Sequence, residues 1–186
     1  MKIYTGYGDE GFTQLLGGQR VRKNDMRVAM CGTLDELNAV MGAVASRQAA
    51  TCLVVKINQV QSDLFKFGCG VAALGADTKL ELPAIRAQDS LRLEAEIDEM
   101  ESSLEPLTNF LLPGGCEAAA TMHQARAICR RCERLFTEVT DLYPDLDPAA
   151  CLKYLNRLGD WCFVAARFIN REMGVTEPIW SGQTNA

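Results

Sequence analysis

Histidine is nearly absent. His123 is the only one in 186 residues. That excludes the di-iron and di-manganese helical bundles, which need Glu-x-x-His pairs from two helices; here Ala120 stands three residues before His123. It also leaves Cys129-x2-Cys132 without the second CxxC or His pair of a four-ligand zinc site. His123 itself is expected to be a hydrogen-bonded packing residue. Positive charge is in deficit: 19 Lys and Arg against 24 Asp and Glu give a net charge of −5, which argues against a general nucleic-acid binder. No apolar run approaches the ~18 residues of a membrane span. The N-terminus lacks the basic-then-apolar order of a secretory signal. The expectation is a cytoplasmic protein with no membrane and no nucleic-acid partner.

What is present is apolar and rich in thiols. Hydrophobic residues make up 48% of the chain, enough for one domain with a sizeable core. Eight cysteines are spread along it. Without a secretory signal they are expected to stay reduced. Cys129, Cys132, Cys151 and Cys162 fall on the apolar stripes of helices and read as small core residues.

Five segments repeat apolar residues at gaps of three and four, the spacing of one helix face. They are Met30 to Val44, Leu53 to Leu74, Leu93 to Leu107, Ala118 to Val139 and Cys151 to Ile169. Thr51 is placed to cap the second, and Asp89 and Ser90 to start the third. Pro106, Pro113-Gly114-Gly115, Pro144 and Pro148 fall in the breaks, and residues 75–88 read as a long loop. Short connections make neighbours antiparallel, so the fold class is all-α: a five-helix up-down bundle with a non-helical, glycine-rich N-terminal segment. One domain is expected over 1–186, made of an N-terminal segment 1–27, a bundle 28–174 and a C-terminal tail 175–186.

The opening segment carries the clearest chemical signal. Gly6, Gly8 and Gly11 prevent a stable helix and permit positive φ. A glycine turn with Thr5 and Thr13 nearby and Arg20 and Lys23 downstream can converge backbone N–H groups and cations on a polyphosphate. Gly6-x4-Gly11 has the spacing of a Walker A loop, but Phe12 stands where that motif needs Lys. The alternative is a floppy N-terminal arm.

Polar stripes flank the core. Arg126, Arg130, Glu133 and Arg134 share one face of the fourth helix, and Arg is the side chain best suited to phosphate. Asn156, Asp160, Phe163 and Arg167 form a matching stripe on the fifth, where Asn156 can both donate and accept, as adenine or ribose requires. Each stripe also fits a solvated, ion-paired surface. Asp35, Glu36 and Asn38 near the start of the first helix suit its dipole.

Several motifs in order resemble the PduO-type ATP:cob(I)alamin adenosyltransferases. They are Thr5-Gly6-Tyr7-Gly8-Asp9-Glu10-Gly11-Phe12-Thr13, Arg27-Val28 through Gly32-Thr33-Leu34-Asp35-Glu36-Leu37-Asn38, Phe110-Leu111-Leu112-Pro113-Gly114-Gly115, His123 through Arg126, Cys129 to Arg134 and Tyr154 to Asp160. Gly159 departs from a usual Ser and Cys132 from a usual Ala. The resemblance implies a homotrimer with ATP between subunits. Thr5, Gly6, Tyr7, Gly8, Asp9, Gly11, Thr13, Gln14 and Lys23 would meet ATP from the loop. Arg130, Arg131, Glu133, Arg134 and Asn156 would meet it from the helices. Asp35 would pair with Arg126 across the interface, and Phe110 and Phe163 would face cobalamin.

The implied chemistry suits such a chain. Cob(I)alamin is the nucleophile, attacks the 5′ carbon of ATP and expels triphosphate, so the protein needs no nucleophile of its own, and no triad is apparent. It must orient the carbon and stabilise the leaving group, tasks for Arg130, Lys23 and Mg²⁺ carried on the phosphates. Phe110 is the candidate apolar wall that excludes an axial ligand and eases Co(II) reduction; its ordinary role would be core packing. A cobalamin reductase and an adenosylcobalamin-dependent enzyme are the implied partners. The opposing reading is a helical scaffold that binds ATP weakly or not at all.

Overall fold

A computed structural model describes residues 2–4, 6–77 and 81–182. It is a helical bundle of α1 (Met26–Ala45), α2 (Val54–Ala72), α3 (Ala87–Glu101), α4 (Glu117–Leu142) and α5 (Ala149–Glu172). A 3-10 helix, Gln48–Leu53, joins α1 to α2. Ahead of α1, β1 (Phe12–Gln14) and β2 (Arg20–Arg22) pair antiparallel, with Phe12 opposite Arg22 and Gln14 opposite Arg20.

Helix directions follow from contacts. Cys31 and Asn38 of α1 meet Gly68 and Gln61 of α2 in reverse order, so the two are antiparallel. Glu36 and Arg47 meet Arg131 and Glu117, which sets α4 antiparallel to α1. Cys129 lies against Leu155 and Cys116 against Asn170, so α5 reverses α4. α3 packs on α5: Glu94 meets Arg157 and Glu96 meets Trp161, so it runs parallel to α5, as an up-down order requires of the third and fifth helices. It opposes its sequence neighbour α2 in direction, through Lys56–Glu99 and Lys66–Asp89, as expected.

The predicted stripes form the core. Met30, Leu34, Leu37, Met41 and Val44 of α1 are all buried, as are Ala118, Met122, Ala125, Cys129, Cys132, Phe136 and Val139 of α4. Burying one such large side chain contributes about 1.5–3 kcal/mol. α1 is also long and apolar enough to cross a membrane by length and composition. It carries Arg27, Asp35 and Glu36, and it packs its buried stripe against α2 and α4.

Element ends differ from expectation in three places. α3 stops at Glu101, so Leu104 lies beyond it and Leu107 is exposed; the apolar spacing continues toward Pro106, but the helix does not. Thr51 sits inside the 3-10 helix, donating its hydroxyl to the Gln48 carbonyl, and does not cap α2. Ser90 is fully buried inside α3; Asp89 is the end residue, accepting from the Arg86 N–H at 2.8 Å. α1 starts at Asp25, whose carboxylate accepts from the Arg27 N–H at 2.9 Å, a cap that contributes about 1 kcal/mol.

Buried polar groups tie elements together. Asp63 of α2 is fully buried and accepts from Arg92 of α3 at 2.6 Å, Lys66 at 2.7 Å and the Tyr154 hydroxyl of α5 at 3.2 Å. Asn170 of α5 accepts from the Cys116 N–H and donates to the Gly114 carbonyl, which fixes the turn that starts α4. Gly115 there has φ +103°, and a side chain would overlap the Asn170 amide.

Candidate functional site

The N-terminal glycines make turns. Gly6 and Gly11 have φ of +72° and +80°, and the Asp9 and Gly11 N–H groups donate to the Gly6 and Gly8 carbonyls at 3.2 and 3.3 Å. Thr13 pairs with Val21 in the hairpin, Gln14 is exposed, and Lys23 donates its N–H to the Gly11 carbonyl at 2.9 Å. The Lys23 ammonium therefore lies over the Gly8 turn, 3.1 Å from where a Gly8 Cβ would be. Arg20, the other predicted cation, is engaged elsewhere: it stacks on Phe12 at 4.3 Å, lies 5.7 Å from Tyr7 and pairs with Glu10 at 3.5 Å. Thr5 lies outside the described residues.

A second group forms on the outer face of α4 and α5. The Asn156 amide donates to Glu133 at 3.2 Å and its oxygen accepts from Arg157 at 2.9 Å. Arg134 donates to the Arg130 carbonyl at 2.9 Å. Gly159 is buried beside the Arg130 stem, and a Cβ there would meet the Arg130 Cγ at 4.0 Å, an ordinary contact. Arg131 is not in this group. It is rotated onto α1 and pairs with Glu36.

A third group is a groove of about 600 Å³ lined by Leu107, Thr108, Asn109, Phe110, Leu111, Arg126 and Phe163. Phe110 is 79% exposed, so core packing is not its role. The Arg126 guanidinium stacks on Phe163 at 5.3 Å. An adjoining groove of about 410 Å³ shares both residues and adds Glu94, Arg157 and Asp160. Behind Phe163, 6.0 Å away, His123 is 8% exposed with an unpartnered Nδ1; burial first, and Arg126 second, push its pKa down.

The predicted residues do not all meet in one chain. Asp35 lies in a different groove, between α1 and α2, with Leu16, Leu34 and Phe65, and it does not pair with Arg126. No hydrogen bond or ion pair joins Lys23 to Glu133 or Asn156. Sequence spacing also misses several residues that shape the site. Trp180 sits in a tail without periodicity, yet Trp180 and Leu112 donate to the Phe110 and Pro178 carbonyls, both at 2.8 Å. Arg167 is buried, donating to the Glu105 carbonyl at 2.8 Å and to Glu177 at 3.1 Å, and so holds both the loop and the tail. Its place on the α5 stripe is the only signal for it.

Three of the partly or fully buried thiols are held protonated. Burial pushes Cys31 and Cys151 up to about 11 and Cys132 to about 12. Among the described residues no group of three or more His, Cys, Asp or Glu could hold a metal. What remains is a helical bundle with a cation-backed glycine turn, an Arg–Glu–Asn face and an aromatic groove. That arrangement suits a ligand-binding transferase that works by orientation and charge, with the nucleophile brought by a substrate.

Comparison with known proteins gives the family. The profile described as Cobalamin adenosyltransferase matches residues 3–169, and the chain belongs to that family. It is 39% identical over 168 residues to the corrinoid adenosyltransferase PduO of Salmonella typhimurium, covering 90% of this chain and 49% of that one. It thus spans about half the length of the Salmonella relative. It is 36% identical over 171 residues to a corrinoid adenosyltransferase of Mycobacterium bovis, covering 91% and 89%. A variant PduO-type ATP:corrinoid adenosyltransferase from Lactobacillus reuteri, complexed with cobalamin and ATP, superposes with a TM-score of 0.90 at 32% identity, covering 97% of this chain and 100% of that one.

Proposed function

We propose that this protein is an ATP:cob(I)alamin adenosyltransferase. Cobalt(I) of the corrinoid substrate donates its electron pair to the 5′ carbon of ATP, a Co–C bond forms, the C–O bond breaks, and triphosphate leaves. The observation that carries the corrinoid half is Phe110, 79% exposed over a 600 Å³ groove on a loop pinned at both ends. A large apolar ring held out of the core is suited to lie against a flat macrocycle. It denies cobalt a lower axial ligand, which makes Co(II) easier to reduce.

ATP lies between copies. The glycine turn, residues 5–14 with Lys23, comes from one subunit, and Arg130, Glu133, Arg134 and Asn156 from its neighbour. The separation of these groups within one chain supports this. So does the placing of Asp35 and Arg126 in separate grooves, where each can meet the other only across an interface. The assembly is a homotrimer. Lys23 and Arg130 stabilise the leaving triphosphate. Mg²⁺ arrives on the phosphates, and no protein carboxylates are assigned to it. Arg131 would have to leave its exposed pair with Glu36 to join the phosphate set.

The chain acts as one catalytic domain in the cytoplasm. It accepts electrons for Co(II) from a separate reductase and passes product to an adenosylcobalamin-dependent enzyme. Incubation with ATP and reduced cobalamin tests the activity: the corrin spectrum should convert to that of the alkylated form. An unchanged spectrum with fully reduced cobalt would reject it and favour the scaffold reading.

A further inference from the structure

Arg27 is an unexpected residue for its place. It stands in the first turn of α1, where a cation opposes the helix dipole, and it is only 7% exposed. Its guanidinium is almost fully used. Nε and one terminal nitrogen donate to the two oxygens of Asp25 at 3.0 and 2.8 Å. The other terminal nitrogen donates to Gln19 Oε1 at 2.6 Å and to the Leu74 carbonyl at 2.7 Å. Its plane lies 5.7 Å from the Tyr143 ring, at the turn between α4 and α5.

Gln19 completes the link by donating to the Gly75 carbonyl. One side chain thus joins the β1–β2 turn to the end of α2 and to the end of α4. Apart from Leu16, which lines the α1–α2 groove, the hairpin has little else to hold it: each strand is three residues long, and two-stranded hairpins are marginal alone. Lys23 follows β2 directly, and the Gly8 turn lies under its ammonium.

We propose that Arg27 is a positioning residue for the nucleotide: by fixing the β1–β2 turn to the bundle it sets where the Gly8 turn and Lys23 meet the triphosphate. It touches no substrate. The inference rests on the adenosyltransferase reading, but its central observable does not. Lys cannot replace Arg here, because one ammonium cannot span the planar set of Asp25, Gln19 and Leu74 acceptors.

The test uses the full chain with Arg27→Lys and, as a milder variant that keeps the cation, Gln19→Leu. Hydrogen exchange without ligands should show faster exchange over residues 12–23 in both variants, with α4 and α5 as protected as in the parent. ATP titration should show Kd raised roughly tenfold or more for Arg27→Lys, because ordering the loosened hairpin then draws on the binding free energy. With saturating ATP and preformed Co(I), kcat should fall by less than Kd rises, since bound ATP restores much of the loop order through which Arg27 acts. Unchanged exchange and unchanged Kd would overturn the proposal. So would protection lost throughout the bundle, or a fall in kcat with ATP affinity intact. A parent protein that fails to alkylate cobalamin would sink the activity while leaving the exchange result to judge Arg27.

Discussion

Trp180 hydrogen-bonds through its main chain to Phe110 and presents its ring edge-on, with centroids 6.1 Å apart at 73°. The tail therefore holds the Phe110 backbone whether or not the Phe110 ring is present. Phe110→Ala should remove the ring and keep the loop. If the ring excludes an axial ligand, reduction is the damaged step, and the variant should recover much of its activity when given preformed Co(I). Equal slowness with Co(II) plus reductant and with Co(I) would reduce Phe110 to a general binding residue.

Lys23→Ala should behave oppositely. Its ammonium lies over the glycine turn; if it faces the triphosphate as proposed, its loss weakens stabilisation of the leaving group whichever cobalt state is supplied. Rates with both cobalt states should fall together. Recovery with Co(I) alone would contradict the leaving-group role.

Arg130→Ala should nearly abolish transfer and spare the fold. The Arg130 side chain is exposed, and its carbonyl still accepts from Arg134. Losing one charge-assisted contact in a closed site costs about 2–4 kcal/mol of transition-state stabilisation, roughly a hundredfold to a thousandfold. Circular dichroism and single-turnover rates on the same sample check both halves, and near-normal turnover would remove Arg130 from the mechanism.

Much of this was legible because helices declare themselves by spacing. Every stripe residue of α1 and α4 is buried where the repeat puts it. The hairpin was not legible: three residues per strand are too few to show alternation. Buried Arg27, Asp63, Arg167 and Asn170 were hidden for another reason. Each is polar enough to read as surface, and its burial depends on partners distant in sequence, such as Asp63 with Tyr154. Arg130 and Arg131 look alike in a run, but one step of about 100° around a helix sends Arg131 to Glu36 on α1. The α4–α5 polar face was readable as two stripes; the contact between Glu133 and Asn156 needed the fold.

Arg126→Trp should weaken assembly and ATP binding together. If Asp35 of one copy meets Arg126 of another, breaking a largely buried pair costs on the order of 3–5 kcal/mol. Sedimentation should show trimers for the parent and smaller species for the variant. A monomeric parent at micromolar concentration would sink the shared-site arrangement.

His123 should give stability a slope in mild acid. Burial and Arg126 lower its pKa below the usual 6.5, so the unfolded chain binds the proton more readily than the folded one. The neutral form's contribution is full above 6.5 and is lost as pH falls through the folded value. Urea unfolding between neutral pH and about pH 5 should show that decline, and His123→Gln should flatten it. The same slope in the variant would assign it to other groups.

The parallel pairing of α3 with α5 has a cost in time. The Glu94–Arg157 contact spans 63 positions and Trp161–Glu96 spans 65, so α3 cannot finish docking until the last helix has left the ribosome. The α1–α2 pair needs only local closure and can form early, whereas α3 has at that stage only its ion pairs to α2. Synthesis of this chain therefore passes through a stage in which α3 is fully made but lacks its α5 partner. That stage, and not the finished bundle, is where aggregation or chaperone capture would act.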